Sequence, residues 1–389
     1  MRFPAFGLAA LLAALGPASG QTWTQTTAPA TNWSALAASA DGSRLFAAAS
    51  GIGLIYSSVN GGTNWAPTGS PIRDWGGIAC SADGKKLVAT VPGNSWIYTS
   101  TNAGASWASN SAVGYSYLTS VASSADGTKL AASGQQSTIA LSSDSGATWT
   151  YVTVGAGATT HIASSADGTK LIAAGEGSGA AIWISTNSGL NWTKSSAPSQ
   201  SYRSVACSAD GMKVVAAVYW LPPSFTYGTA CVSSDGGLTW SNCPAFSSLA
   251  RGVASSADGR KLIAAAGGLY LSTDYGATWI FSPGSYSSCS TVASSADGGL
   301  LVAAGFSNSH IYTRQSSQPP QLGLALSSGN GAVLSWVIPS QVFSLQNASN
   351  LDSSAWTTIT DAPTLNSLNL RMEIPVSTSG NAEFYRLVR

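Results

Sequence analysis

The sequence predicts an all-β protein, a seven-bladed β-propeller followed by a small C-terminal β-sandwich-like module, on three observations. The tetrapeptide Ser-Ala-Asp-Gly occurs seven times, with its aspartate at Asp41, Asp83, Asp126, Asp167, Asp210, Asp258 and Asp297. The intervals run from 39 to 48 residues, which suits a four-stranded blade and is too long for a leucine-rich or ankyrin repeat. A second motif, Ser-x-Asp/Asn-x-Gly-x-Thr/Ser/Asn-Trp, occurs six times in phase with the first and ends at Trp65, Trp107, Trp149, Trp192, Trp240 and Trp279. The phase of both motifs is lost after Gln315, where a Pro-containing stretch opens a tail of short alternating runs.

From the N-terminus, residues 1–20 combine Arg2, an apolar run from Phe6 to Leu15 and the small residues Ala18, Ser19 and Gly20. This reads as a cleaved secretory signal peptide, too short to span a bilayer. The expectation is an exported protein starting near Gln21, in the periplasm, at the cell surface or secreted, with no transmembrane segment.

Residues 21–315 are assigned to the propeller. Trp33 stands before Asp41 as Trp75 stands before Asp83, and Trp23 precedes Trp33 as Trp65 precedes Trp75. Trp23 is therefore a motif tryptophan that has lost its motif. The seventh unit ends at Ile311-Tyr312-Thr313 without a second motif, so the two ends are expected to complete one blade together.

Each Ser-Ala-Asp-Gly lies between short β-type runs and predicts a hairpin turn. Its aspartate would accept backbone N–H bonds and its glycine would take a positive φ. An aliphatic residue stands five places before each aspartate, at Leu36, Ile78, Val121, Ile162, Val205, Val253 and Val292, with alanine after it every time. That large/small pattern belongs to sheets packed face to face. The second motif is a further hairpin turn, whose tryptophan opens the outer strand and packs between sheets.

The tryptophan-ending motif resembles the Asp-box, or bacterial neuraminidase repeat, of sialidases, sortilin-type receptors, xyloglucan-cleaving glucanases and photosystem II assembly factors. The resemblance implies a propeller of the sialidase-like fold. It does not extend to a sialidase site, because the three arginines, tyrosine/glutamate pair and acid aspartate of that family find no matching motifs, and Pro71-Ile72-Arg73 carries the Arg-Ile-Pro residues reversed. The two-propeller cleft of the glucanases would need more repeats than are present.

Five cysteines occur. Cys80 and Cys207 hold the same place in the second and fifth units, too far apart to bridge. Cys231 and Cys243 flank one tryptophan motif and form the one expected disulfide pair. Residues 316–321 read as a linker and residues 322–389 as the β module. Its Leu345-Gln346-Asn347-Ala348 stretch and its Phe384-Tyr385-Arg386-Leu387 end resemble small β modules that follow repeat domains in bacterial exported proteins, implying attachment or sorting.

Charged residues make up 8% of the chain, against roughly 25% in a typical globular domain. A net charge of +1 offers no field for nucleic acid. No Cys-x-x-Cys or His-x-x-x-His spacing suggests zinc, no EF-hand loop is present, and no cofactor fingerprint occurs. Once the turn aspartates are set aside, the carboxylates between Gln21 and Gln315 reduce to Asp74 and Glu176.

The loops opposite the two hairpin motifs carry nearly all the irregular sequence, including the insertion Tyr219-Trp220-Leu221-Pro222-Pro223-Ser224-Phe225-Thr226-Tyr227. Arg73, Asp74, Trp75, Tyr117, Glu176, Tyr202, Arg203 and Arg251 should border the same side. Aromatics with a few polar groups suit recognition of a sugar or a peptide. The expected function is a non-catalytic exported propeller that binds a glycan or protein through Arg73, Trp75, Tyr202, Arg203, Tyr219, Trp220, Tyr227 and Arg251. The alternative is a glycan-cleaving enzyme that uses Asp74 and Glu176 as its carboxylate pair. Oligomeric state is left open.

Overall fold

The computed structural model describes residues 22–389 apart from 94–95, 112–116, 136, 156–159, 178–179, 221–228, 243–245, 247, 285–287, 308, 317, 328–330, 350–355 and 378–382. The expected signal peptide, Cys243 and Tyr227 lie outside the described residues. No helix occurs among those described, and none is long and apolar enough to cross a membrane.

The Ser-Ala-Asp-Gly turn owes as much to its serine as to its aspartate. In the third unit Ser124 Oγ donates to Asp126 Oδ1 at 2.6 Å and accepts from Lys129 N at 3.0 Å, while Asp126 Oδ1 accepts from Thr128 N at 2.9 Å. The serine is buried in all seven turns, so a lost partner there would strand a polar atom. Gly127 has φ of 66°.

In the tryptophan motif the serine again works inward: Ser142 Oγ accepts from Gly146 N at 2.9 Å and donates to Asp144 Oδ1 at 2.8 Å. Asp144 Oδ1 accepts from Thr148 N at 2.9 Å, and Trp149 Nε1 donates to the Gly146 carbonyl at 3.1 Å. Two consecutive residues take positive φ, and the first is not glycine in Ala103, Ser145, Ser188 and Tyr275. The hydrogen bonds converging on each turn hold that strained residue in place.

Each of the seven repeat units forms a four-stranded antiparallel sheet among the described residues. The innermost strands, Trp33–Ala38, Ile78–Cys80, Leu118–Ser123, His161–Ser164, Ser201–Cys207, Gly252–Ser255 and Cys289–Ser294, neighbour one another in sequence order, and the last returns to the first. The chain is a β-propeller.

Closure is visible in the backbone. The amide of each motif alanine donates to the carbonyl of the next, in the order Ala40, Ala82, Ala125, Ala166, Ala209, Ala257, Ala296 and back to Ala40, at 2.7 to 2.8 Å. Lysine stems brace the same level. Lys129, Lys170 and Lys261 lie on Gly168, Gly211 and Gly298 of the following sheets and donate from Nζ to the carbonyls of Asp167, Asp210 and Asp297. A methyl on Gly168 would stand 2.8 Å from Lys129 Cδ, so glycine serves close approach there as well as φ.

The seventh sheet is completed by the other end of the chain. Cys289–Ser294, Leu300–Gly305 and Tyr312–Gln315 receive Thr24–Gln25 as their fourth strand, with Thr24 opposite Thr313 and Gln25 opposite Tyr312. One motif tryptophan packs against each of six inter-sheet cores, and Trp23 takes that place in the seventh. Lacking a motif carbonyl, its Nε1 donates to Ser282 Oγ at 3.0 Å.

Beyond the propeller, strands Gly323–Leu326, Gly331–Val337, Thr364–Asn366 and Arg371–Ser377 form one sheet and Ser344–Ala348, Thr357–Thr358 and Phe384–Val388 another. Leu334, Trp336 and Ile374 meet Leu345, Tyr385 and Leu387 in a shared core. This module packs on one side of the alanine cycle: Val337, Ile338 and Leu370 cluster with Ala40, Ala82, Ala257 and Ala296. Asp297 Oδ2 accepts from both Ser340 N, at 2.8 Å, and Ser340 Oγ, at 2.9 Å. The seventh unit has Gly299 where the third has Thr128, and a methyl at Gly299 would lie 2.4 Å from Ser340 Oγ.

Cys80 and Cys207 stand on the second and fifth sheets as free thiols. Burial, then the nearby charge of Asp83 and Asp210 respectively, pushes each up to about 12. Both are half-buried residues on the lower channel wall. The expected Cys231–Cys243 pairing falls on a position outside the described residues.

Candidate functional site

Residues alternate in direction along an inner strand, and here the alternation separates structure from site. Among the described residues, the position eight before a motif aspartate faces the core between sheets: Trp33, Trp75, Leu118, Tyr202, Ala250 and Cys289 are all buried there. The position seven before it, occupied by Ser34, Gly76, Thr119, Thr160, Arg203, Arg251 and Ser290, lines a cavity of about 470 Å³ at the end of the channel opposite the alanine cycle. The next position adds His161 and Thr291 among others.

Asp74 and Glu176 reach the same cavity from the connecting loops, so the structure gathers Asp74, Glu176, Arg203 and Arg251 as the sequence suggests. Glu176 Oε1 and Arg203 form an ion pair at 2.6 Å with each side chain about one third exposed. Asp74 Oδ1 accepts from Gly51 N at 2.6 Å. The half-buried Tyr219 ring lies 5.4 Å from the Arg203 guanidinium and 5.7 Å from that of Arg251.

Two expected ligand-binding residues are corrected. Trp75 is fully buried, with Nε1 donating to the Gly53 carbonyl at 3.2 Å and its ring edge-on to Tyr98. Tyr202 is fully buried too, its hydroxyl donating to the Pro198 carbonyl. Both occupy the register of Trp33, which turns them toward the inter-sheet cores. They support the wall without offering a face to a ligand. Arg73 is held elsewhere: its Nε donates to Tyr98 Oη at 3.1 Å and its Nη1 to the Ile72 carbonyl. Trp220 ends strand Val214–Trp220 opposite Ser201, and Tyr227 lies outside the described residues.

Sequence reasoning missed Thr160, His161 and Ser290. Thr160 Oγ1, His161 Nε2 and Ser290 Oγ are sealed from bulk solvent and have no hydrogen-bond partner among the described residues. Thr160 and Ser290 are 6% and 8% exposed; His161 is half-buried as a residue, yet its Nε2 is enclosed. Burial, and secondarily the Arg203 charge, pushes the His161 pKa down to about 3. Its imidazole is therefore neutral at ordinary pH. The signal that could have found Thr160 and Ser290 is positional, since the seventh residue before the aspartate is glycine, serine, threonine or arginine in every unit.

Among the described residues no group of three or more His, Cys, Asp or Glu side chains could hold a metal ion. The site can bind by hydrogen bonding and charge. No family model and no curated protein matches the chain. Among solved structures it is similar to hydrazine synthase of Kuenenia stuttgartiensis, at 15% identity and a TM-score of 0.61, over 76% of this chain and 98% of that one. At that identity the likeness shows a shared β-propeller fold and nothing of chemistry.

Proposed function

We propose that the chain is an exported, non-catalytic propeller of the Asp-box type that binds a glycan or a protein ligand through the mouth cavity. The observation that carries this reading is the mouth itself, where Arg203, Arg251, Asp74 and Glu176 line one cavity and the Tyr219 ring lies 5.4 Å from the Arg203 guanidinium and 5.7 Å from that of Arg251. A concave site with a few convergent polar groups is the usual form of a pocket with a bound occupant. Two guanidiniums and two carboxylates at the same mouth give such an occupant orientation.

The test is binding of the purified protein to a broad glycan panel and to candidate exported proteins, with the Arg203→Ala variant in parallel. That change should weaken binding by about tenfold or more if Arg203 anchors the ligand, with unchanged circular dichroism. A ligand whose affinity ignores both Arg203 and Arg251 would place its site elsewhere.

The glycan-cleaving alternative draws on Asp74 and Glu176 lining one cavity. Against it, both carboxylates already have partners, Glu176 in its ion pair and Asp74 on a backbone amide. Release of reducing sugar from a neutral or acidic glycan, abolished in both Asp74→Asn and Glu176→Gln, would establish it over the binding reading.

A further inference from the structure

We propose that the mouth cavity binds a short peptide with both ends free, its carboxylate on Arg251 and its ammonium on Asp74; this rests on the binding reading above and selects a peptide over a glycan. Both side chains line the cavity and both residues are exposed. Neither belongs to an ion pair: among the described residues the pairs are Lys85 with Asp83 and Arg203 with Glu176. Asp74 spends Oδ1 on the Gly51 amide, and its Oδ2 has no partner among those residues. The Arg251 guanidinium meets the face of Tyr219 and, among those residues, no acceptor.

Ring order sets these two charges apart. Asp74 leads into strand Ile78–Cys80 of the second sheet, Arg203 lies on Ser201–Cys207 of the fifth, and Arg251 leads into Gly252–Ser255 of the sixth. In the closed ring the second sheet stands three places from both the fifth and the sixth, as far as seven sheets allow. On the far wall Arg203 and Arg251 share one tyrosine ring, at 5.4 and 5.7 Å, and Glu176 pairs with Arg203 alone. That wall therefore keeps one surplus positive charge. Asp74 supplies a negative one opposite, and Arg73 beside it is turned away to Tyr98 Oη and the Ile72 carbonyl.

A ligand suited to this mouth carries an anion at one end and a cation at the other. A neutral glycan has neither, and an acidic glycan has only the anion. A peptide with free termini has both near neutral pH. Its carboxylate can take two parallel N–H bonds from a guanidinium, and its ammonium can donate to the open oxygen of Asp74. An extended chain spans about 3.3 to 3.6 Å per residue, so a series of peptide lengths measures the gap between the two walls.

Isothermal titration of the full-length purified protein with di-, tri- and tetra-alanine tests this, each peptide free, N-acetylated and C-amidated. Expected is binding of at least one free length, weakened about tenfold or more by capping either end and by added salt. Arg251→Gln should abolish the preference for a free carboxylate and keep that for a free amine. Asp74→Asn should do the reverse, and its Oδ1 can still accept from Gly51 N. Peptides that bind equally well capped and free, or that keep both preferences in both variants, overturn the proposal. Sensitivity to amidation without sensitivity to acetylation would mark the tail of a longer protein as the ligand and overturn the two-ended reading. Failure of every peptide to bind overturns the peptide as ligand; a glycan that then binds with affinity lowered by Arg203→Ala leaves the mouth as the site.

Discussion

Asp144 and Asp235 are held at a pKa of about 2, first by the hydroxyl of the threonine four residues on, then by that threonine's amide and by the motif serine. Their pKa values are depressed in the folded chain, so their stabilising effect is complete above the ordinary carboxylate value of 3.8 and is lost as pH falls toward about 2. His161 acts in a higher window. The unfolded chain protonates near 6.5 and the folded chain only near 3, so acidification across that range favours unfolding. Melting temperature followed from about pH 7 to pH 2 should decline in both windows. His161→Gln should flatten the upper part, and Asp144→Asn with Asp235→Asn the lower; Asn60, Asn102 and Asn187 already serve in that turn position. A decline unchanged by His161→Gln would show that His161 is not kept neutral by the fold. The aspartates of these turns were legible in the sequence from their spacing. The serines that accept backbone amides were not singled out, because serine occurs throughout the chain and only burial reveals which ones are spent.

At the scale of elements, strand Thr24–Gln25 ties the N-terminus into the seventh sheet, supported by Thr26 N on the Ile311 carbonyl and Trp33 Nε1 on the Ser309 carbonyl. Removing residues 21–28 should lower the melting temperature of the propeller as one transition, because it bares a sheet edge and empties the place of Trp23. An unchanged melting temperature would mean that the strand does not secure the ring. This splice was readable from complementary defects at the two ends of the repeat. The docking of the C-terminal module was not, although its mark is present: Gly299 and Leu300 replace the Thr-Lys of the third unit. Gly299→Thr should unseat the module by clashing with Ser340, leaving the propeller folded. Limited proteolysis within 316–321 should then accelerate severalfold, whereas an unchanged rate would show that the Asp297–Ser340 contact does not hold the module.

Across the whole molecule, the repeat specified the sheets, the inter-sheet cores and the face on which Asp74, Glu176, Arg203 and Arg251 gather. It misled for Trp75 and Tyr202, since an aromatic beside a loop reads as exposed until the strand register is counted. At eight residues before the aspartate a side chain enters the wedge between sheets, and at seven it enters the channel. The cavity is thus lined by a ring of equivalent positions held by glycine and polar or charged residues, while the described residues of the core ring are apolar or aromatic. Sialoside hydrolysis is not expected of this ring, where two arginines, one of them paired to Glu176, stand in place of a triad. A fluorogenic sialoside incubated with pure protein would check this, and sustained turnover would refute it.

The alanine cycle has a consequence for how such a chain can change length. A row of hydrogen bonds with a free start and finish can grow by one unit at either end. A row whose last donor serves its first acceptor has no end to extend, and an added or lost unit must alter the angle between every pair of sheets before the final bond can form again. Because the seventh sheet borrows its outer strand from the opposite terminus, a duplicated segment must also begin and end in phase with both motifs. Unit number in this protein is therefore fixed by closure, and gene duplication within it is expected to yield either a re-formed ring with a different count or no ring at all.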